Sequence, residues 1–171
     1  TYSLVSAIIL LISIYVTNLI PHLGLSGRFN WSSPMNYINL FSYAMVHDNS
    51  SFSHFVSNFT IILLIGPALE EKYGAKKLLT MMLVTAVVTG LLNVLIFRGG
   101  IIGASGIALM MIILSSFTNY SKGELPLTFV IICIFFLGTE VLSSFNDDNI
   151  SQFAHIMGGI SGAIFGFYYK K

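Results

Sequence analysis

Residues 151–169 read SQFAHIMGGISGAIFGFYY, with Ala154, Gly158, Gly162 and Gly166 at strict four-residue spacing. That spacing is close to one helical turn, so the small side chains form a single stripe along which a second helix backbone can come close. The stretch holds no Asp, Glu, Lys or Arg, and its length suits the roughly 17 to 25 residues a helix needs to cross about 30 Å of hydrocarbon. It reads as a membrane helix built for tight packing, with one polar ring, His155, about a turn inside it.

Similar apolar runs come earlier. Approximate spans are Tyr2 to Ile20, Phe52 to Leu69, Lys77 to Phe97, Ala104 to Thr118 and Leu125 to Ser143, which with Ser151 to Tyr169 make six. The expected fold is an all-α membrane protein, a six-transmembrane-helix bundle forming a single domain over residues 1–171. The run from Leu4 to Ile20 lacks a basic leader and a small-residue cleavage site, so it reads as a retained helix. Composition agrees: 55% of residues are hydrophobic, 9% are charged, and the mean hydropathy is +0.83, whereas a soluble domain carries about a quarter charged residues.

Several function classes fall away. A formal net charge of +1 leaves no basic face to neutralise a phosphate backbone, so no nucleic-acid partner is expected. Cys133 is the single cysteine, which excludes an intrachain disulfide and a thiolate metal cluster. A zinc protease would need a His-Glu-x-x-His helix, which is absent, and an aspartyl protease would need two apposed Asp within the bilayer, whereas Asp48, Asp147 and Asp148 fall in loops. No metal and no cofactor is expected.

Lys72, Lys76, Lys77, Lys122, Lys170 and Lys171 all fall on one side of a six-span topology, leaving Arg28 and Arg98 opposite. The positive-inside rule makes the lysine side cytoplasmic and places both termini there. An integral, multi-pass protein of a prokaryotic plasma membrane is the expected setting. The first loop, Pro21 to Ser51, spaces Phe29, Trp31, Met35, Tyr37, Phe41 and Tyr43 among polar residues, a pattern suited to the outer interface.

Polar groups inside a bilayer are costly and therefore point to function. His54 and Asn58 lie one turn apart at the start of span two and share a helix face. Ser105 stands in Gly103-Ala104-Ser105-Gly106 at the start of span four, whose Gly-rich lead-in, Gly99-Gly100 through Gly103, implies a start below the membrane surface. Spans two, four and six run in the same direction and each bears its polar residue near its beginning, so all four groups share one depth near the outer face. The small residues Gly103, Ala104, Gly106 and Ala108 on span four could meet the stripe on span six. Ser105 and His155 would then form a nucleophile and base pair, with His54, Asn58 and the Ser105 N–H supplying donors to an oxyanion. Glu140 reads as a structural or solvated carboxylate. His22 and His47 fall in the first loop and read as solvated or interfacial groups with no chemical role.

These residues resemble the rhomboid intramembrane serine proteases over most of the chain from Phe41 to Gly166. The resemblance rests on Gly103-Ala104-Ser105-Gly106, on Ala154-His155-Ile156-Met157-Gly158 followed by Gly162, on His54-Phe55-Val56-Ser57-Asn58, and on the Glu-bearing turn Gly66 to Gly74. It implies Ser105 as nucleophile, His155 as general base and acid, and His54 with Asn58 as oxyanion side chains. Gly103, Gly106, Gly158 and Gly162 would support the site, and small residues would be favoured at the cut. The substrates implied are single-pass or polytopic membrane proteins within the lipid bilayer. Three features depart from the family pattern: Ile38, Asn39 and Leu40 stand where a Trp-Arg pair is usual, Leu109 replaces a common aromatic residue, and the interval from His47 to His54 is long. Gln152, one turn before His155, is placed to orient groups or water. The loop Ser144 to Ile150 and span five with Gly138 are the expected gate, by analogy with the family.

Two other functions fit parts of the pattern. One is a catalytically silent rhomboid-like protein that binds client helices. The other is a small transporter lined by His54, Asn58 and His155, although only one broken helix is visible where transporters usually show a pair.

Overall fold

The computed structural model describes residues 20–47, 52–97, 99–117 and 149–169, together with Leu127. The first expected span (except Ile20), Cys133, most of the fifth expected span with Gly138 and Glu140, and the expected gate loop up to Asp148 lie outside the described residues. The described elements are α1 (Ile20–Leu23), α2 (Pro34–Ser42), a 3-10 turn (Tyr43–Met45), α3 (Phe52–Tyr73), α4 (Ala75–Ile96), α5 (Ser105–Ser116) and α6 (Asn149–Tyr168).

Helix α4 shows what kind of core this is. Its buried face carries Leu78, Met81, Thr85, Thr89, Asn93 and Val94, with Ala86 and Gly90 between them. Its outer face carries Leu83, Val84, Val87, Val88, Leu95 and Ile96, all exposed. Polar groups inside and apolar groups outside reverse the pattern of a soluble helix. Exposed aliphatic residues continue on α3 at Leu63 and Leu64 and on α6 at Ile156, Ile160 and Ile164, an arrangement suited to lipid contact. Among the described helices α4 is the one long and apolar enough to cross a membrane by itself, while α5 is shorter and apolar.

Helices α3 and α4 are joined at Gly74, whose φ of 84° lies where L side chains rarely settle. The Gly74 N–H donates to the Glu70 carbonyl at 2.8 Å, closing the last turn of α3, and the Gly74 carbonyl accepts from Leu78 at 3.1 Å in the first turn of α4. Lys72 donates to the Phe117 carbonyl at 2.7 Å, so the end of α3 supports the end of α5.

Helix α5 is the central element. Its 12 residues span about 18 Å at 1.5 Å per residue, well short of a membrane crossing. Gly106, Ala108, Leu109, Met110, Met111, Ile113, Leu114 and Ser116 are all buried, and α5 packs against α3, α4 and α6. Its contact with α6 is the most extensive between any two described elements. Leu69, Met81, Met110, Met111 and Leu114 form the heart of the main core.

Helices α3, α4, α5 and α6 cover, within a few residues, the apolar runs read as spans two, three, four and six, and of these α4 alone is long and apolar enough to cross a membrane by itself. The first loop is more structured than its sequence implied. Pro34 starts α2, where its missing N–H costs nothing, and Ser42 Oγ donates to the Leu23 carbonyl at 2.7 Å. Trp31 and Tyr37 remain exposed and pack with Phe29, with ring centroids 4.6 to 6.4 Å apart.

Candidate active site

Ser105 is the first residue of α5 and is partly exposed, between the buried Ala104 and Gly106. Ala104 offers no side-chain cap, so the first N–H groups of α5 depend on what surrounds them. Gly103, with φ of 106°, makes the bend into the helix, and a side chain there would be strained.

The lead-in to Ser105 is stitched to the first loop. Leu25 and Ile101 form an antiparallel bridge, with N–H to carbonyl distances of 3.1 and 2.9 Å. Asn93 Nδ2 donates to the Gly99 carbonyl at 2.8 Å, and the Gly103 N–H donates to the Tyr43 carbonyl at 2.9 Å. Tyr43 is itself fixed, because its hydroxyl donates to the Ala86 carbonyl at 3.1 Å. Burial drives the Tyr43 phenol far above its ordinary pKa, so it stays protonated and able to donate. These bonds anchor the first loop to the lead-in of α5.

On the other side α6 approaches along its small-residue stripe. A Cβ built on Gly106 would lie 2.8 Å from the Ala154 carbonyl oxygen, and one on Gly158 would collide with the Gly106 carbonyl. One on Gly162 would lie 2.5 Å from the Met110 carbonyl oxygen, and one on Gly166 would overlap the Phe117 ring. Backbone therefore meets backbone beside Ser105, the first residue of α5, and His155, in the second turn of α6, since Gly106 follows the serine and Ala154 precedes the histidine. His155 is partly exposed. Leu109 is buried and lies 3.6 Å from where a Gly159 Cβ would stand, so it packs on α6 one turn beyond His155.

Asn58 on α3 is 5% exposed. The side chain of His54, one turn earlier, lies outside the described set. Gln152 is partly buried on the first turns of α6, and His22 is exposed.

His47 corrects the sequence reading, which left it solvated or interfacial. It is 2% exposed, and its Nε2 lies 3.3 Å from the Ala104 nitrogen and 3.4 Å from Asn58 Nδ2. A lone histidine in a polar loop carries no periodicity that would place it inside. Its proximity in the chain to His54 and Asn58 was the available signal.

Among the described residues no group of His, Cys, Asp and Glu could hold a metal ion. The site is a set of hydrogen-bonding groups around a serine at a helix N-terminus, between apolar helices whose outer faces suit lipid. The rhomboid domain model matches residues 34–171. The chain belongs to the rhomboid family, whose members are integral membrane proteins and generally intramembrane serine proteases acting on membrane-protein substrates in the bilayer. A search of curated proteins finds no match.

Proposed function

We propose that this chain is an intramembrane serine endopeptidase, a single six-span domain with both termini cytoplasmic, cutting client transmembrane segments near the outer face of a prokaryotic plasma membrane. Ser105 Oγ attacks the scissile carbonyl while His155 takes its proton and later returns it to the leaving amine. Asn58, His54 and the Ser105 N–H stabilise the oxyanion, each donor contributing about 10²- to 10³-fold in rate. Water then releases the acyl-enzyme.

The observation that carries this reading is the backbone contact of Gly106 with Ala154 and Gly158. It sets the first turn of α5, with the proposed nucleophile, against the second turn of α6, with the proposed base, and a longer side chain at Gly106 or Gly158 would not permit it. A labelled single-span substrate in liposomes tests the reading. The wild type is expected to cut it, and Ser105→Ala and His155→Ala each abolish cutting, with the double variant no worse than either. A wild type that binds this substrate without cutting it would favour the silent client-binding role.

A further inference from the structure

We propose, building on that functional reading, that His47 is a positioning residue: its bare Nε2 ties the start of the serine helix to Asn58 and turns the Asn58 amide into a donor. A main-chain N–H can only donate, so the Ala104 N–H, 3.3 Å from Nε2, requires a lone pair there. The ring proton must then sit on Nδ1. That choice decides Asn58 as well. With Nε2 an acceptor, the amide must present its nitrogen across the 3.4 Å separation, because its oxygen would set two acceptors face to face. Both distances exceed the usual 2.9–3.0 Å, as expected when two donors share one lone pair.

The chemical consequence falls on the oxyanion. One N–H of Asn58 is taken by His47, and the second is left to point away from it. A flipped amide would offer an oxygen, which repels a developing negative charge. The same imidazole holds Ala104, whose carbonyl accepts from the Ala108 N–H at 2.9 Å. With its N–H on His47 and its carbonyl in the first turn of α5, the residue before Ser105 is held from both sides. His47 and Asn58 are both buried, so water competes little for these bonds and losing the acceptor strands a buried N–H.

Two substitutions separate positioning from bulk. His47→Gln keeps an acceptor oxygen near the place of Nε2, whereas His47→Leu keeps volume and removes the acceptor. In the full chain in bicelles, His47→Leu is expected to lower kcat for a single-span substrate about 10- to 100-fold with KM within about threefold. His47→Gln should recover most of that loss. Combining His47→Leu with Asn58→Ala should cost less than the product of the two separate losses, since both act through one amide. Equal losses in the Leu and Gln variants, or strictly multiplicative losses, would overturn the proposal.

Imidazole 15N shifts give a readout that does not depend on activity. The signal assigned to His47 by its disappearance in His47→Gln should report a protonated Nδ1 and a bare Nε2. A protonated Nε2 would overturn the proposal even if the enzyme is active. A bare Nε2 in a chain that neither cuts nor binds covalent probes would uphold the hydrogen-bond assignment and sink the protease reading instead.

Discussion

Ser105 is held from two sides by different physics. On one side α5 and α6 meet through glycine and alanine, backbone on backbone at Gly106, Gly158 and Gly162, with Gly166 against the Phe117 ring. On the other side Leu25, Tyr43 and His47 hold residues 101–104 by hydrogen bonds. The seam depends on the absence of atoms and has little tolerance for added ones. The clamp depends on particular donors and acceptors and is sensitive to their loss. One sets how near the two helices come, and the other sets how the chain enters α5.

The largest expected effect comes from filling the seam beside the site. Gly158→Val forces side-chain atoms into the Gly106 carbonyl and should cost at or above the top of the ~1–3 kcal/mol range for overpacking. It should also abolish substrate cleavage, with thermal unfolding in detergent as the check on stability. Gly162→Ala meets the Met110 carbonyl oxygen at 2.5 Å and Ile113 Cβ at 2.9 Å, so about 1–3 kcal/mol is again expected. Because that position lies farther from Ser105, activity at low temperature should fall less than in Gly158→Val.

On the clamp side, Gly90→Ala places a methyl 2.8 Å from the Leu40 carbonyl oxygen and 3.2 Å from the Tyr43 ring. A loss of about 1–2 kcal/mol is expected, within the overpacking range, and a displaced Tyr43 should slow cleavage. The smallest effect sharpens the contrast. Among the described residues Gly159→Ala meets Leu109 alone, at an ordinary 3.6 Å, and alanine is the better helix former by about 0.5–1 kcal/mol. That variant should unfold at an equal or higher temperature and retain activity. Equal damage from Gly158→Ala and Gly159→Ala would show that the stripe does not govern the packing.

The two sides also differ in how far the sequence revealed them. Four-residue spacing of small residues is a local, periodic signal, and it pointed to the α5 and α6 contact because helix geometry turns spacing directly into a face. The polar groups early in α3, α5 and α6 were visible for a related reason, since a polar side chain stands out against an apolar run, as Thr85, Thr89 and Asn93 on α4 also do. The clamp left no such trace. Leu25 pairs with Ile101 and His47 with Ala104 across long stretches of chain, and only the folded path of the first loop brings them together. Composition also misled at His47: Asp48, Asn49, Ser50 and Ser51 follow it in sequence, yet the imidazole turns inward to satisfy a buried N–H.

The central claim is that Ser105 and His155 act as one nucleophilic unit between α5 and α6. Its most direct measurement is fluorophosphonate labelling of the full chain in bicelles, with the adduct mapped by mass spectrometry in the wild type and in His155→Ala. A single adduct on Ser105, lost or slowed by about 10²-fold or more without His155, is the predicted result. An adduct on another residue, or labelling of Ser105 at the wild-type rate in His155→Ala, would contradict it.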